Sequence, residues 1–216
     1  MDNIITVEGV SKAYKGTKVL DNVNVVFGSG RIHGIIGRNG SGKTMLIKAV
    51  CGLVQPDSGK ITVSGKVVGQ DVDFPENIGV IIESPGFLPT ESGYRNLAYL
   101  ASLRGKIGKP EIRNAIISVG LNPDDKKHVG KYSLGMRQRL GLAQAIMENP
   151  DILILDEPMN GLDKSGVEDI RKLLLRFRDE GKTILLVSHS TEDIGILCDE
   201  VYEMDNGRLN MFKESR

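Results

Sequence analysis

The sequence predicts an α/β fold with a parallel sheet, an antiparallel β part at the N-terminus and an inserted helical lobe. Three observations support this prediction. The first third contains strands in which apolar and polar residues alternate. The middle of the chain has apolar residues at helical spacing. The last third has two continuous apolar strands separated by a long amphipathic helix, as expected when a parallel sheet is covered on both faces.

The length of 216 residues, 40% of them apolar, suits one sizeable domain. We expect a single domain over residues 1–216. Residues 1–85 and 150–216 would form the α/β core with its β part. Residues 86–149 would form the helical lobe.

The N-terminal elements follow from local patterns. NIITVEGV and VLDNVNVVF predict half-buried antiparallel strands, and RIHGIIG predicts a more buried strand entering a glycine-rich turn. KTMLIKAVCGL predicts a helix that ends near Gly52. GKITVSGKVV predicts a hairpin with Ser64 and Gly65 at its turn. The run from Val80 to Ile82 predicts a buried strand that ends on Glu83.

The middle and C-terminal elements are predicted in the same way. YRNLAYLASLR, PEIRNAIISVG and LGMRQRLGLAQAIM predict three helices of the lobe. DILILD and TILLVSH predict buried strands, and SGVEDIRKLLLRFRDEG predicts the amphipathic helix between them.

Charge and composition limit the classes of protein. The 28 basic and 28 acidic residues give a formal net charge of zero, which argues against a nucleic-acid partner. Cys51 and Cys198 lack a metal-binding spacing. A disulfide between them is the alternative, but nothing in the sequence supports it, and a reduced compartment is the simpler expectation. The N-terminus does not resemble a signal peptide, and no apolar run approaches the roughly 18 residues of a membrane span. We therefore expect a soluble, cytoplasmic protein.

The segment GRNGSGKT matches the phosphate-loop pattern G-x-x-x-x-G-K-[ST] between a predicted strand and a predicted helix. Its glycines would let backbone N–H groups approach phosphate oxygens, and the helix N-terminus favours an anion. Lys43 would reach the β- and γ-phosphates, and the Thr44 hydroxyl would bind Mg²⁺. A chance match is the alternative, which the strand–helix context disfavours. The predicted nucleotide-binding residues here are Gly37, Arg38, Asn39, Gly40, Ser41, Gly42, Lys43, Thr44 and Met45.

Two further strands end on polar residues. ILILDEP places Asp156 at a strand end, where it can hold Mg²⁺, and Glu157 next to it, where it can act as a general base on water. Adjacent acids at a strand end can also be simply solvated. TILLVSH places His189 where it can hydrogen-bond a γ-phosphate. His33 and His128 lack such a context and are interpreted as structural or surface residues.

These motifs, in this order, resemble those of the nucleotide-binding subunit of ABC transporters. YSLGMRQRL resembles the family's signature and lies just upstream of ILILDEP, MNGLD resembles the loop after the Walker B strand, and Ser188-His189 resembles the switch histidine. The resemblance implies the ABC ATPase fold, with a P-loop NTPase core, ATP and Mg²⁺ as cofactors, and ATP hydrolysis as the activity.

The resemblance also implies a head-to-tail pair of nucleotide-binding subunits, expected to be a homodimer, that closes around two MgATP molecules. Each nucleotide would lie between the phosphate loop of one chain and the signature of the other. Ser133 and Gly135 match the signature's serine and second glycine. Leu134 and Met136 depart from the common form, replacing the first glycine and the final glutamine. Ser133 can also be an ordinary helix cap.

Two further residues acquire roles through the resemblance. Tyr14 fits the aromatic platform for adenine, with a core or surface tyrosine as the alternative. Glu83 stands where the family usually has a glutamine, and would approach Mg²⁺ and link the catalytic site to the helical lobe.

IGVIIESPGF and YSLGMRQRL together resemble the bacterial exporters that protect cells from lantibiotics and related peptide antibiotics. Phe87, Leu88 and Tyr94 would contact a membrane partner or simply pack within the lobe.

The leading interpretation is an ATPase that powers a separate membrane permease and is peripheral to the inner face of the cell membrane, with no nucleic-acid partner. One alternative is a soluble ABC ATPase acting on nucleic acid or the ribosome. Another is an antibiotic-sensing module that does not transport.

Overall fold

The structure is a computed structural model that describes residues 3–83 and 86–213. It divides into two compact units, one of Met1–Glu76 with Arg178–Arg216 and one of Asn77–Phe177. The division predicted from the sequence, with a helical lobe over residues 86–149 between the two parts of the α/β core, stays a prediction.

The strands come in chain order. They are β1 (Asn3–Tyr14), β2 (Thr17–Gly28), β3 (Ile32–Ile36), β4 (Ser58–Val63), β5 (Lys66–Val67), β6 (Ile78–Ile81), β7 (Ile152–Asp156), β8 (Thr183–Val187), β9 (Glu200–Asp205) and β10 (Arg208–Lys213).

The helices account for the rest of the regular structure in the described residues. They are α1 (Lys43–Val50), α2 (Gly93–Arg104), α3 (Lys109–Ser118), α4 (Leu134–Ile146), α5 (Lys164–Asp179) and α6 (Thr191–Leu197), with a short 3₁₀ turn at Val129–Lys131. No helix in residues 3–83 and 86–213 has the length and apolar character of a membrane span.

The N-terminal strands form an antiparallel sheet in the order β2-β1-β4-β5, as the alternating pattern predicted. Both of its tight turns have two residues with positive φ, which is typical of two-residue hairpins. Lys15 and Gly16 form the first turn, and Ser64 and Gly65 form the second. The second turn pairs Val63 with Lys66, so the predicted hairpin is confirmed.

The other sheet of the first unit has the order β10-β9-β3-β8. β3 runs parallel to β8 and to β9, whereas β10 returns antiparallel to β9. β8 is buried throughout, and β3 is buried from Ile32 to Ile35. The parallel sheet that the continuous apolar runs predicted is therefore confirmed. The sequence interpretation assigned no element to α6, β9 or β10.

In the second unit, β6 runs parallel to β7 with Ile81 opposite Leu155. The three predicted lobe helices are present as α2, α3 and α4. A Cβ at Gly79 would lie 2.0 Å from the carbonyl oxygen of Ala145, so β6 packs against α4 without room for a side chain there. This close packing places α4 beside the strands whose ends carry the predicted acids.

Candidate functional site

The phosphate loop joins β3 to α1 in the first unit. β3 has Ile35 opposite Val187 of β8 and Ile36 opposite Glu203 of β9. The loop therefore leaves the sheet at the carboxyl ends of parallel strands, which is where α/β proteins bind their ligands.

Two of the loop's glycines are required by their surroundings. Gly37 has φ +142°, and a Cβ there would lie 2.2 Å from the carbonyl oxygen of Met204. Gly42 has φ +114°, and a Cβ there would lie 2.5 Å from the carbonyl oxygen of Val19. Any other residue would combine backbone strain with a collision. The loop is thus held closely between β9 and the start of β2.

Backbone hydrogen bonds fix the loop further. The N–H of Ser41 donates to the carbonyl of Arg38 at 3.2 Å, closing a turn. The N–H of Gly207, in the β9–β10 turn, donates to the carbonyl of Ser41 at 2.9 Å. This support was not predicted from the sequence, although the dipeptide Asn206-Gly207 is a hairpin signal.

Lys43 ends the loop as the first residue of α1 and is only 6% exposed. Its Nζ donates to the carbonyl oxygens of Gly37 at 2.6 Å and Arg38 at 2.9 Å. The ammonium group is therefore held inside the ring of backbone that the motif predicts will surround a phosphate.

The side chain of Ser41 adds a second polar group to this cradle. Its Oγ is buried and has no hydrogen-bond partner among the residues that the structure describes. Buried hydroxyl groups in proteins normally have a hydrogen-bond partner, so this one is expected to bond to a ligand. A buried ammonium, a hydroxyl and a helix N-terminus together fit a phosphate anion. Arg38, Asn39 and Gly40 are exposed on the loop.

Thr44 and Met45 follow Lys43 in the first turn of α1, and both are half-buried. The Thr44 hydroxyl is an oxygen ligand of the kind that Mg²⁺ prefers. Its position at the helix N-terminus is the one that the motif predicts.

Tyr14 ends β1, and its side chain is 49% exposed. The Nζ of Lys12 lies 5.6 Å from the centroid of its ring. Tyr14 pairs with Thr17 across the hairpin, and β2 then continues to Val19, whose carbonyl faces Gly42. The aromatic ring is thus on the hairpin that also contacts the phosphate loop, and its partial exposure is compatible with stacking on a ligand.

His189 is exposed and lies two residues beyond the end of β8. The turn around it is ordered by two serines. The N–H of Ser190 donates to the Oγ of Ser188 at 3.1 Å, and the Oγ of Ser190 caps α6 by accepting from the N–H of Asp193 at 3.1 Å. Because β8 is parallel to β3, His189 leaves the sheet at the same edge as the phosphate loop.

The other two histidines differ in their surroundings. His33 is fully buried on β3, with Nε2 2.8 Å from the carbonyl of Gly28 and Nδ1 3.0 Å from Oε2 of Glu200. Burial lowers the pKa of His33. His128 is exposed. These positions agree with the structural and surface interpretations.

The predicted acids belong to the second unit. Asp156 is the last residue of β7 and Glu157 follows it, while Glu83 is exposed two residues beyond the end of β6. Since Ile81 is opposite Leu155, all three carboxylates lie at the carboxyl ends of one parallel pair. The predicted strand extended to Ile82, one residue too far.

The backbone at two of these acids is strained. Glu83 has φ +59° and Glu157 has φ +50°, both in the left-handed region that residues with a Cβ avoid. Such strain concentrates at functional sites, where the surroundings hold it in place. Both carboxylates are therefore aimed by their turns rather than by a regular strand.

Ser133 is exposed and caps α4, because its Oγ accepts from the N–H of Met136 at 3.1 Å. Leu134, which replaces the signature's first glycine, is 55% exposed. A Cβ at Gly135 would lie 2.8 Å from the carbonyl oxygen of Gly161, so this glycine permits a close approach to the turn after β7.

The stretch expected to face a membrane partner is only partly described. Ser84 and Pro85 lie outside the described residues. Phe87 and Tyr94 are half-buried, and Leu88 is 50% exposed. Buried Asn96 holds the backbone of Leu88, donating to its carbonyl at 3.1 Å and accepting from its N–H at 2.7 Å.

The predicted site residues thus form two groups. The phosphate loop, Tyr14 and His189 belong to the first unit. The carboxylates and the signature residues belong to the second.

Comparison with known proteins adds to these observations. Residues 20–160 match the family model described as ABC transporter. The chain is 44% identical over 206 residues to the uncharacterized ABC transporter ATP-binding protein YybJ of Bacillus subtilis (strain 168), covering 95% of this chain and 94% of that protein.

Two other relatives have names that include a transported compound. The bacitracin transport ATP-binding protein BcrA of Enterococcus faecalis is 40% identical, with 97% of this chain and 68% of that protein covered. The lantibiotic transport ATP-binding protein SrtF of Streptococcus pyogenes is 35% identical, with 98% and 91% covered.

A solved structure gives the same fold. The dimeric post-hydrolysis state of the ATP-binding cassette MJ0796, bound to ADP and Pi, superposes with a TM-score of 0.88 at 21% identity, covering 98% of this chain and 99% of that one. The predicted fold class, an α/β P-loop core with an antiparallel β part and helices, is therefore confirmed. The match over residues 20–160 and the identity with YybJ show that the chain belongs to the ABC transporter family, as one of its ATP-binding proteins.

Proposed function

We propose that this chain is the ATP-hydrolysing subunit of an exporter for peptide antibiotics, and that it drives a permease carried on a separate chain. Its relatives include ATP-binding proteins named for bacitracin transport and for lantibiotic transport. The observation that carries the proposal is the cradle in which the Lys43 ammonium and the Ser41 hydroxyl are buried inside a glycine-rich loop.

The phosphate loop binds the nucleotide in this proposal. The N–H groups of the loop and the start of α1 hold the β-phosphate. The Lys43 ammonium moves from the carbonyls of Gly37 and Arg38 to the phosphate oxygens, because a charged acceptor forms the stronger hydrogen bond. Tyr14 stacks on the adenine ring.

Magnesium would be held by oxygen ligands of this chain and would supply neutralisation of the triphosphate charge when bound. Thr44, Asp156 and Glu83 have the donor atoms that Mg²⁺ takes together with substrate phosphates. Glu83 adds a negative charge where the family usually has an amide, so it favours the metal-bound state.

Hydrolysis uses Glu157 and His189. Glu157 accepts a proton from the attacking water as a general base. His189 donates a hydrogen bond to the γ-phosphate and loses this partner when the phosphate leaves. The site residues are thus sensitive to whether ATP or ADP is bound.

Two chains act together in the proposal, head to tail, as a homodimer. Ser133 and Gly135 of one chain face the nucleotide on the phosphate loop of the other, with the N-terminus of α4 directed at the γ-phosphate. ATP binding closes the pair and hydrolysis opens it. The chain works at the inner face of the cell membrane through its permease.

The proposal is tested by Mg²⁺-dependent ATP hydrolysis and nucleotide binding with purified protein. Lys43→Ala removes the central cation, so both binding and hydrolysis are expected to be lost. Glu157→Gln is expected to bind ATP normally and to hydrolyse it roughly 100-fold more slowly or worse, as expected when a general base is removed. Lys106→Ala, at an exposed position in the loop after α2, is the matched control. Wild-type protein that neither binds nor hydrolyses ATP would contradict the proposal.

The antibiotic is tested separately. Cells that express this chain with a permease encoded beside it should tolerate higher bacitracin or lantibiotic concentrations, and Lys43→Ala should abolish the difference. Active ATPase without protection would mean that the transported compound is of another class.

A further inference from the structure

Gln138 is a buried polar residue on α4 whose partner lies 19 positions away. It is 9% exposed, and its Nε2 lies 3.1 Å from the carbonyl oxygen of Glu157. A carbonyl can only accept, so the amide nitrogen of Gln138 must be the atom that faces it. Gln138 therefore donates to the backbone of the residue proposed as general base.

This hydrogen bond adds to one that the carbonyl already makes. The N–H of Asn160 donates to the same Glu157 oxygen at 3.1 Å, closing the turn. The oxygen is thus satisfied by its own turn, so the amide of Gln138 is not needed to avoid an unpaired buried acceptor. Its effect is directional, since two donors fill both lone pairs and fix the peptide plane that follows Glu157.

Glu157 needs such a constraint. Its φ of +50° lies in the left-handed region, and the next residue is Pro158, which disfavours helical conformations at the preceding position. A strained residue of this kind keeps its conformation only where the surroundings enforce it. A small rotation of this backbone would swing the carboxylate away from its place.

The start of α4 holds the other end of the same turn. The side chain of Leu134 lies against Gly161, and a Cβ at Gly161 would be 2.5 Å from its Cγ and Cδ2. A Cβ at Gly135 would be 2.8 Å from the carbonyl oxygen of Gly161. The turn from Glu157 to Gly161 is therefore fixed to α4 at both ends, by Gln138 and by Leu134 with Gly135.

We propose that Gln138 is a positioning residue for the general base: it holds the left-handed backbone of Glu157 so that the carboxylate points at the attacking water. This inference rests on the function proposed above and adds a residue to it. Gln138 is not proposed to contact the nucleotide. It acts on the rate of the chemical step through the backbone of Glu157.

The test is Gln138→Met, which keeps the length and helix propensity of the side chain and removes its donor. The kcat for ATP hydrolysis should fall about 10- to 100-fold, as expected for a displaced catalytic group, while KM and ATP affinity stay within about twofold. Gln144→Met, the same change at a half-buried position of the same helix, is the matched control and should leave both constants unchanged.

The pH dependence of the ATPase rate of Gln138→Glu is a second test, because a residue with a merely structural role would not produce it. A protonated carboxyl can donate to the Glu157 carbonyl, whereas an ionised one cannot. The rate of this variant relative to wild type should therefore rise as pH is lowered from about 8 to 6, since burial raises the pKa of a carboxyl. A constant ratio across this range would overturn the inference.

The outcomes separate the two proposals. If Glu157→Gln is inactive and Gln138→Met turns over like wild type, the positioning role is wrong and the proposed function stands. If Glu157→Gln hydrolyses ATP normally, Glu157 is not the base and the proposed mechanism fails first. A fall in ATP affinity equal to the fall in kcat for Gln138→Met would also overturn the positioning role.

Discussion

Ser133 caps the helix that it precedes, its Oγ accepting a 3.1 Å hydrogen bond from the backbone N–H of Met136. Ser133 is exposed, and it is expected to face the nucleotide of a second chain. A capping role and a nucleotide-binding role therefore coincide at one side chain, and they can be separated by substitution.

Ser133→Asp should keep the cap and lose the function. Aspartate is as good an N-cap as serine, and its charge suits a helix N-terminus, so the melting temperature should hardly change. A carboxylate facing the γ-phosphate of the other chain's ATP would repel it, so ATP turnover should be lost. Thermal unfolding and ATPase rates measure the two effects.

Ser133→Ala is the companion variant, and it should lower stability by about 1 kcal/mol through loss of the cap. If Ser133→Asp hydrolyses ATP at the wild-type rate, then Ser133 is a helix cap only.

Tyr14 should contribute to nucleotide affinity through its ring face. Tyr14→Phe keeps the face and should bind ATP as wild type does. Tyr14→Ala should weaken binding by about 2- to 10-fold, which corresponds to a stacking energy of about 0.5–1.5 kcal/mol. Calorimetric titration with a non-hydrolysable ATP analogue measures this difference.

The control is Tyr99→Ala, because Tyr99 is 58% exposed on α2, comparable to the 49% of Tyr14. If Tyr14→Ala and Tyr99→Ala bind the ATP analogue with equal affinity, Tyr14 does not stack on the adenine ring.

The two cysteines predict how stability depends on pH above neutrality. Burial raises the pKa of Cys51 and of Cys198 from 9.0 to about 12. Because the folded pKa values lie above the unfolded ones, the native state favours the protonated thiol. This contribution is fully present below pH 9 and is lost as pH rises from 9 towards 12.

The measurement is the denaturant midpoint at pH 8 and at pH 10 for wild type and for the double variant Cys51→Ala and Cys198→Ala. Wild type should lose more stability between these values than the double variant does, since the variant has no thiols to ionise. Equal losses would show that neither thiol is buried in solution as it is in the structure.

Local patterns were enough to predict most of the fold. The hairpin at Ser64 and Gly65 follows from turn chemistry, and the presence of buried strands in a parallel sheet follows from continuous apolar runs. The phosphate loop also needed only local information, because its residues are consecutive. These features depend on side chains that are close in sequence.

The remaining features depend on contacts between distant residues. The bond from Gln138 to Glu157 and the packing of Leu134 on Gly161 arise only when α4 lies beside the turn after β7. Gly207 supports Ser41 from the far end of the chain. The periodicity of the sequence gives no signal for contacts between distant residues, so these contacts could not be predicted from the sequence.

The most direct test of the central claim, that MgATP joins two copies of this chain, is the solution mass of the Glu157→Gln variant with ATP and Mg²⁺, measured by light scattering after size exclusion. We expect twice the 23.5 kDa of a single chain, falling to 23.5 kDa when ADP replaces ATP. A variant that binds ATP and Mg²⁺ yet remains at 23.5 kDa would contradict it.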